Sequence, residues 1–115
     1  MKYRPFGKTG LQVSALAMGC MRLPKEDPEL AAMVVDRAIE RGINYFETTR
    51  GYIDGQCQHL TAPGLKGRSR GLIVSGKAGV GPDTTADSYR AEMDLQMQIL
   101  GVDYLEFFQV GWFSL

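Results

Sequence analysis

The feature that most constrains the fold of this chain is an alternation of two periodicities. Short apolar runs at 15–20, 43–46, 72–75 and 104–110 alternate with segments whose apolar residues recur at helical spacing. The strand–helix unit repeats at roughly 30 residues, the length of a βαβ crossover. Crossovers of that length make neighbouring strands parallel and their connection right-handed. At 115 residues the chain makes one domain, 1–115, long enough to bury a single core. The order predicts an α/β chain with about four parallel strands. By itself it fits a barrel segment and a small doubly wound sheet equally.

Local signals define the elements. Residues 1–10, with Pro5, Gly7 and a Lys8-Thr9-Gly10 turn, predict two short extended pieces around a tight turn. Asp27 before Pro28 marks a helix start, with Asp as N-cap and Pro at the first helical position. Ala31, Val34, Val35, Ala38 and Ile39 then repeat at helical spacing, and Gly42 supplies the left-handed residue that ends the helix. Residues 54–65 predict a short second helix that Pro63-Gly64 ends or breaks. Residues 79–83 read as a loop. Thr84 with Asp87 matches a capping box, and Tyr89, Met93, Met97 and Leu100 form a core-facing stripe closed by Gly101. Arg90 is spaced to pair with Asp87 and Asp94.

Composition removes several functions. Thirteen basic and thirteen acidic residues cancel and are interspersed, so no basic surface awaits phosphates and nucleic acid is not an expected partner. No apolar stretch approaches the ~20 residues that cross a bilayer, so no membrane partner is expected. Ala15-Leu16-Ala17 faintly resembles a leader cleavage site, but Gln12 and Ser14 interrupt the run, and a hairpin followed by a strand accounts for it better. Cys20 and Cys57 make no disulfide framework and cannot supply the four thiolates of an ordinary iron–sulfur cluster. They read as reduced thiols, which suits a cytoplasmic protein.

Glu47, Tyr52 and Lys77 fall where predicted strands hand over to loops. In parallel α/β proteins those positions line the face where chemistry happens. The three types suit reduction of a carbonyl. A tyrosine can give its phenolic proton to a developing alkoxide when an ammonium stands beside it, and a carboxylate can orient that ammonium. The competing reading is a loop tyrosine, a solvated lysine and a surface glutamate. His59, the only histidine, belongs on a polar face of the broken second helix. Gly71 to Ala78 nearly spells a phosphate-binding loop, but its intervening residues are strand-like and Ala78 replaces the hydroxyl that would hold magnesium.

Met1-Lys-Tyr-Arg-Pro-Phe-Gly-Lys-Thr-Gly-Leu-Gln-Val-Ser14 and Met18-Gly-Cys-Met-Arg-Leu23 resemble the start of the aldo-keto reductase superfamily. So do Arg41-Gly-Ile-Asn-Tyr-Phe-Glu-Thr-Thr-Arg-Gly-Tyr52, Ile73-Val-Ser-Gly-Lys77 and Leu100-Gly-Val-Asp-Tyr-Leu105. The resemblance spans essentially the whole chain, with the motifs in the family's order. It implies the N-terminal half of a (β/α)8 TIM-type barrel with an N-terminal hairpin, and NADPH-dependent reduction of small aldehydes or ketones. Carried over by position, Tyr52 is the general acid, Lys77 its partner, and Glu47 stands at the family's aspartate, one methylene longer. Gly19, Cys20 and Met21 lie where the first loop approaches the nicotinamide. Gly111 occupies the position of a substrate-orienting histidine, with Gln109 and Trp112 beside it. The Glu47–Tyr52 wording resembles a subgroup that carries a ferredoxin-like iron–sulfur region at its far end, absent here.

A complete barrel needs ~250 residues. The strands that build the family's adenosine-phosphate pocket are not in this sequence. The expectation is therefore an N-terminal fragment that is inactive alone, with Trp112, Phe113 and Leu115 leaving an apolar, open sheet edge. A second reading is a non-catalytic half-barrel module that self-associates or pairs with another half. A third, a flavodoxin-like binding domain, needs a phosphate-cradling loop after the first strand, and Gly19-Cys20-Met21-Arg22 offers little of one.

Overall fold

The computed structural model describes residues 1–68 and 70–114, so the expected exposure of Leu115 lies outside the described residues. The chain opens with an antiparallel hairpin of β1 (Tyr3–Pro5) and β2 (Gln12–Ser14). There follow β3 (Met18–Gly19), a 3-10 turn (Cys20–Arg22), α1 (Pro28–Glu40), β4 (Tyr45–Glu47), α2 (Cys57–Leu65), β5 (Ile73–Val80), α3 (Ala86–Leu100) and β6 (Phe107–Phe113). No helix among the described residues is long and apolar enough to cross a membrane.

Strands β3 to β6 form one parallel sheet in the order β3-β4-β5-β6. That order separates the two architectures left open by the sequence. A doubly wound sheet reverses its strand order at a switch point, whereas a barrel adds strands in one direction. Here the order never reverses, and α1 packs on α2 as α2 packs on α3. The helices line one face, and the sheet is a segment of a (β/α)8 barrel.

The core lies between that face and the helices, built from Ala31, Val35, Phe46, Leu65, Val74 and Leu100 among others. Each large side chain such as Phe46 or Leu65 contributes about 1.5–3 kcal/mol by leaving water. Helix α1 starts as expected, with Asp27 Oδ1 accepting from the Leu30 N–H at 2.9 Å. It ends at Gly42, whose φ of 85° only glycine adopts without strain. Helices α1 and α2 meet at Gly64, where an added Cβ would lie 2.6 Å from Val35 Cβ and 2.9 Å from the Ala32 carbonyl.

The hairpin covers the N-terminal ends of the strands. Phe6 packs edge-on against Phe107 at 5.1 Å. The Asn44 side chain accepts from the Ser14 N–H and donates to the Gln12 carbonyl, each at 2.8 Å. With that end covered, the C-terminal ends of the strands are left for ligands.

Several boundaries differ from the sequence reading. The run at 15–20 is a strand only at Met18–Gly19, because its partner β4 offers just Tyr45–Glu47. Helix α2 begins at Cys57 and continues through Pro63 to Leu65 instead of breaking. Pro63 sits in the last turn, so the only carbonyl deprived of its helical donor is that of exposed His59, which water reaches. The capping box uses Thr85 and Ser88, not Thr84 and Asp87: each backbone N–H donates to the other's hydroxyl at 3.0 Å. Thr84 instead accepts from the Gly81 N–H. Arg90 pairs with Asp87 alone.

The expected loop at 79–83 begins later, because β5 runs to Val80, and β6 covers Phe107–Phe113 rather than 104–110. β5 lengthens, and β6 keeps seven residues but lies three residues later, because Val110, Trp112 and Phe113 keep pairing with β5. Gly111 and Trp112, read as lying past the strand, are inside it. Ala78 pairs with Val110 and Gly79 with Trp112, which leaves Gly111 as the extra residue of a bulge.

Candidate active site

Side chains alternate faces along a strand, so register decides which ones meet. Glu47 pairs in register with Ser75, which puts Lys77, two residues further along β5, on the same face of the sheet. Glu47 is the last residue of β4, whereas Lys77 lies within β5 and not past its end. Tyr52 hangs in the loop after β4. The three come together: Lys77 Nζ donates to Glu47 Oε1 and sits 4.6 Å from the centre of the Tyr52 ring. The extra methylene of Glu47 does not prevent the contact.

The Lys77 side chain is 15% exposed and that of Glu47 35%. Burial pushes the Lys77 ammonium down, but hydrogen bonds from it to Glu47 and Tyr52 outweigh burial, and its pKa stands above the usual lysine value. Lys77 therefore stays charged at neutral pH. A positive charge is held against the Tyr52 ring.

Open depressions flank this cluster. One, about 510 Å³, is lined by Met21, Arg22, Lys25, Tyr52 and Ile53. The other, about 520 Å³, is lined by Arg50, Lys77, Tyr89, Glu92 and Trp112. Gly51 borders both. Of the first-loop residues, Gly19 pairs with Glu47 across the sheet and has open space where a side chain would stand. Met21 is exposed beside Tyr52. Cys20 turns its side chain wholly into the core, where burial pushes its thiol up to about 12. The whole residue is shielded from solvent, and its carbonyl accepts from the Cys57 thiol.

Gly111 faces the lysine. A Cβ there would lie 3.4 Å from Lys77 Cδ, an ordinary contact, so the position points at the cluster and brings no side chain to it. Gln109, one step earlier on the same face, donates to Ser75 Oγ at 2.7 Å. The Trp112 indole lies flat over Gly79, where any side chain would collide with it. His59 is exposed on α2, apart from the cluster. Cys20 and Cys57 are free and buried, and no group of three or more His, Cys, Asp or Glu among the described residues could hold a metal ion.

A set of buried amides beneath the site escaped the sequence reading. Gln58 and Gln96 are both fully buried. Gln58 Nε2 donates to Thr48 Oγ1 and to Gln96 Oε1, and Gln96 Nε2 donates to the Lys77 carbonyl and to Glu92. The available signal was position: Gln96 lies four residues before buried Leu100, on the face of α3 that the stripe buries.

A sequence model of the Aldo/keto reductase family matches residues 15–114. The 6-dehydroglucose reductase of Novosphingobium aromaticivorans is 32% identical over 94% of this chain and 40% of its own length. An aldo-keto reductase of Bacillus halodurans, solved in its holo form, superposes with a TM-score of 0.84 at 28% identity, over 96% of this chain and 40% of that one. An aldo/keto reductase of Klebsiella pneumoniae, solved with NADP and acetate, superposes with a TM-score of 0.77 over 91% of this chain and 38% of that one. At 18% identity that likeness is one of fold. The chain thus spans about two fifths of the length of these three proteins. It belongs to the aldo/keto reductase family.

Proposed function

We propose that residues 1–115, a single partial barrel domain, carry the proton-donating part of an NADPH-dependent site for small aldehydes or ketones, and do not complete the reaction by themselves. The observation that carries this reading is the contact of Lys77 with both Glu47 and Tyr52 at the C-terminal ends of the strands. When bound, NADPH supplies the hydride to the carbonyl carbon. Tyr52 gives its hydroxyl proton to the carbonyl oxygen. Lys77 stabilises the phenolate left behind, and Glu47 holds the ammonium charged and in place.

The residues present suit the nicotinamide end of the cofactor, for which Gly51 beside Tyr52 and Gly19 beside Glu47 leave open space. They do not suit the phosphate-bearing end. Around the two depressions Lys25, Arg50 and Lys77 each already face a carboxylate, which leaves Arg22 alone outside a salt bridge among the described cations there. The histidine position, Gly111, offers no donor to orient a carbonyl. The free, buried thiols suit a reducing compartment, and we place the chain in the cytoplasm.

The test has two arms. The isolated chain is titrated into NADPH by fluorescence and offered a panel of simple aldehydes. Neither tight binding nor turnover is expected, and either one refutes the inactivity. In the second arm, residues 15–114 replace the matching segment of a full-length family member. Tyr52→Phe in that chimera is expected to cut kcat about 10²–10⁴-fold, and unchanged turnover removes Tyr52 from the role.

A second reading is favoured by the bare last strand: Val110, Trp112 and Phe113 of β6 are 45%, 56% and 76% exposed. The chain then acts as a half-barrel that pairs with a copy of itself. A stable monomer in dilute and concentrated sedimentation runs counts against it.

A further inference from the structure

We infer that Gln96 of α3, with Glu92 one turn before it, positions Lys77 against Tyr52. The inference rests on the site reading proposed above. Tyr52 hangs in a loop and Lys77 lies in a strand, so something other than the strand ladder must fix their separation.

One continuous set of hydrogen bonds joins the loop that carries Tyr52 to the Lys77 backbone. Arg50, two residues before Tyr52, donates from Nε and from one terminal nitrogen to both oxygens of Glu92, at 3.0 and 2.9 Å. Glu92 Oε1 also accepts from Gln96 Nε2 at 2.9 Å, and the same nitrogen donates to the Lys77 carbonyl at 2.9 Å. Thr49 Oγ1, from the start of the Tyr52 loop, donates to that carbonyl at 2.8 Å. On the far side Gln96 Oε1 accepts from Gln58 at 2.8 Å, which ties α2 into the set.

Two further observations argue that the arrangement is specific. A buried amide is destabilising unless it is bonded, and Gln96 satisfies both ends of its amide while fully buried. Gly76, the residue before Lys77, makes room for it. A Cβ at Gly76 would lie 2.7 Å from Gln96 Oε1, so the strand has no side chain where the amide lies. An apolar residue at position 96 would fill the space equally well and hold nothing.

Lys77 reports on its own position through its titration. The titratable groups that act on it are Glu47 from β4, Tyr52 from the loop and, more weakly, Cys57 from α2; Arg50 and Glu92, paired with each other, line the same depression, and β6 presents the uncharged Gln109 and Gly111. Glu47 and Tyr52 hold its pKa up, so loosening their geometry must bring it down.

The experiment is competitive acetylation of the intact chain with acetic anhydride across pH 7 to 11. Each lysine is read by mass spectrometry, with exposed Lys2, Lys8 and Lys66 as internal standards. Gln96→Leu is expected to lower the apparent pKa of Lys77 and to raise its labelling at pH 8 several-fold, up to about tenfold for one unit. Gln98→Leu, on the exposed face of the same helix, should change nothing. Arg50→Met combined with Glu92→Met removes the surface end of the set with no change in net charge beside Lys77, so it serves if Gln96→Leu fails to fold, and it should shift Lys77 in the same direction. An unmoved Lys77 in folded Gln96→Leu or in the folded double variant overturns the positioning role, even where stability drops. If Glu47→Gln also leaves Lys77 unmoved, the underlying site reading fails instead.

Discussion

At the scale of single residues, Lys77 and the two cysteines show how one interior treats two kinds of ionisable group. Lys77 is desolvated but finds Glu47 and Tyr52, and its pKa rises. A group whose folded pKa is raised contributes stability fully below its unfolded value, about 10.4 for lysine, and loses it as the pH climbs through the higher folded value. Glu47→Gln is therefore expected to cost about 1.5–3 kcal/mol at pH 7, the range for hydrogen bonds to charged groups. The gap between wild type and variant in urea melts should close above that lysine range, and a gap constant to high pH would refute it. The cysteines have only burial acting strongly on them: Cys20 is pushed up to about 12, and Cys57 is raised as well. Neither should react with a disulfide reagent at pH 8 in the folded protein, and both should react once it is denatured. That Glu47, Tyr52 and Lys77 would lie together was legible in the sequence because strand ends and a family pattern mark them. Gln96 was not, because a glutamine within a helical stripe looks the same whether it meets water or a backbone carbonyl. Only the packing of α3 against β5 distinguishes the two cases.

At the scale of elements, type and order were legible, and the ends were set by partners. Asp27-Pro28 and Gly42 bound α1 where the sequence put them, since capping is local chemistry. Strand lengths are not local. β3 is short because β4 is short, and pairing with Trp112 and Phe113 past the bulge at Gly111 carries β5 on to Val80 and moves β6 later along the chain. Pro63 was misjudged for a related reason: a proline in the last turn disturbs few bonds. The same helix holds the tightest contact between α1 and α2. Gly64→Ala would press a methyl into Val35 and the Ala32 carbonyl, and the backbone on that side cannot yield cheaply. Overpacking of this kind costs about 1–3 kcal/mol, even though alanine is the better helix former. Gly55→Ala is not an adequate comparison, because Gly55 has a φ of 86°. Gly51→Ala is, since nothing lies within 4 Å of its Cβ and its φ is not positive. A urea midpoint lower for Gly64→Ala than for Gly51→Ala is the expected result, and equal midpoints would show that the helices simply move apart.

At the scale of the whole molecule, the sheet is singly wound and open. Among the described residues β3 pairs only with β4 and β6 only with β5, and the C-terminal half of β6 carries exposed apolar side chains. Strands with unpaired backbone and apolar side chains seek partners. The chain contains one tryptophan, and it stands on that strand at 56% exposure, so its emission reports the edge directly. If the half-barrel pairs with a copy of itself, Trp112 emission should shift to the blue as the protein is concentrated, and the sedimentation coefficient should rise over the same range. Val110→Lys places a charge on the edge without touching the Lys77 cluster, and should hold both signals at their dilute values. Trp112 emission that stays red at all concentrations, with a constant sedimentation coefficient, would show that the edge remains bare. The Gln96 relay and the Glu47–Lys77 pair lie on either side of β5, away from this strand's free edge, so Lys77 labelling should be the same in wild type and Val110→Lys. A change in Lys77 on concentration would mean instead that pairing of the edge reaches into the site.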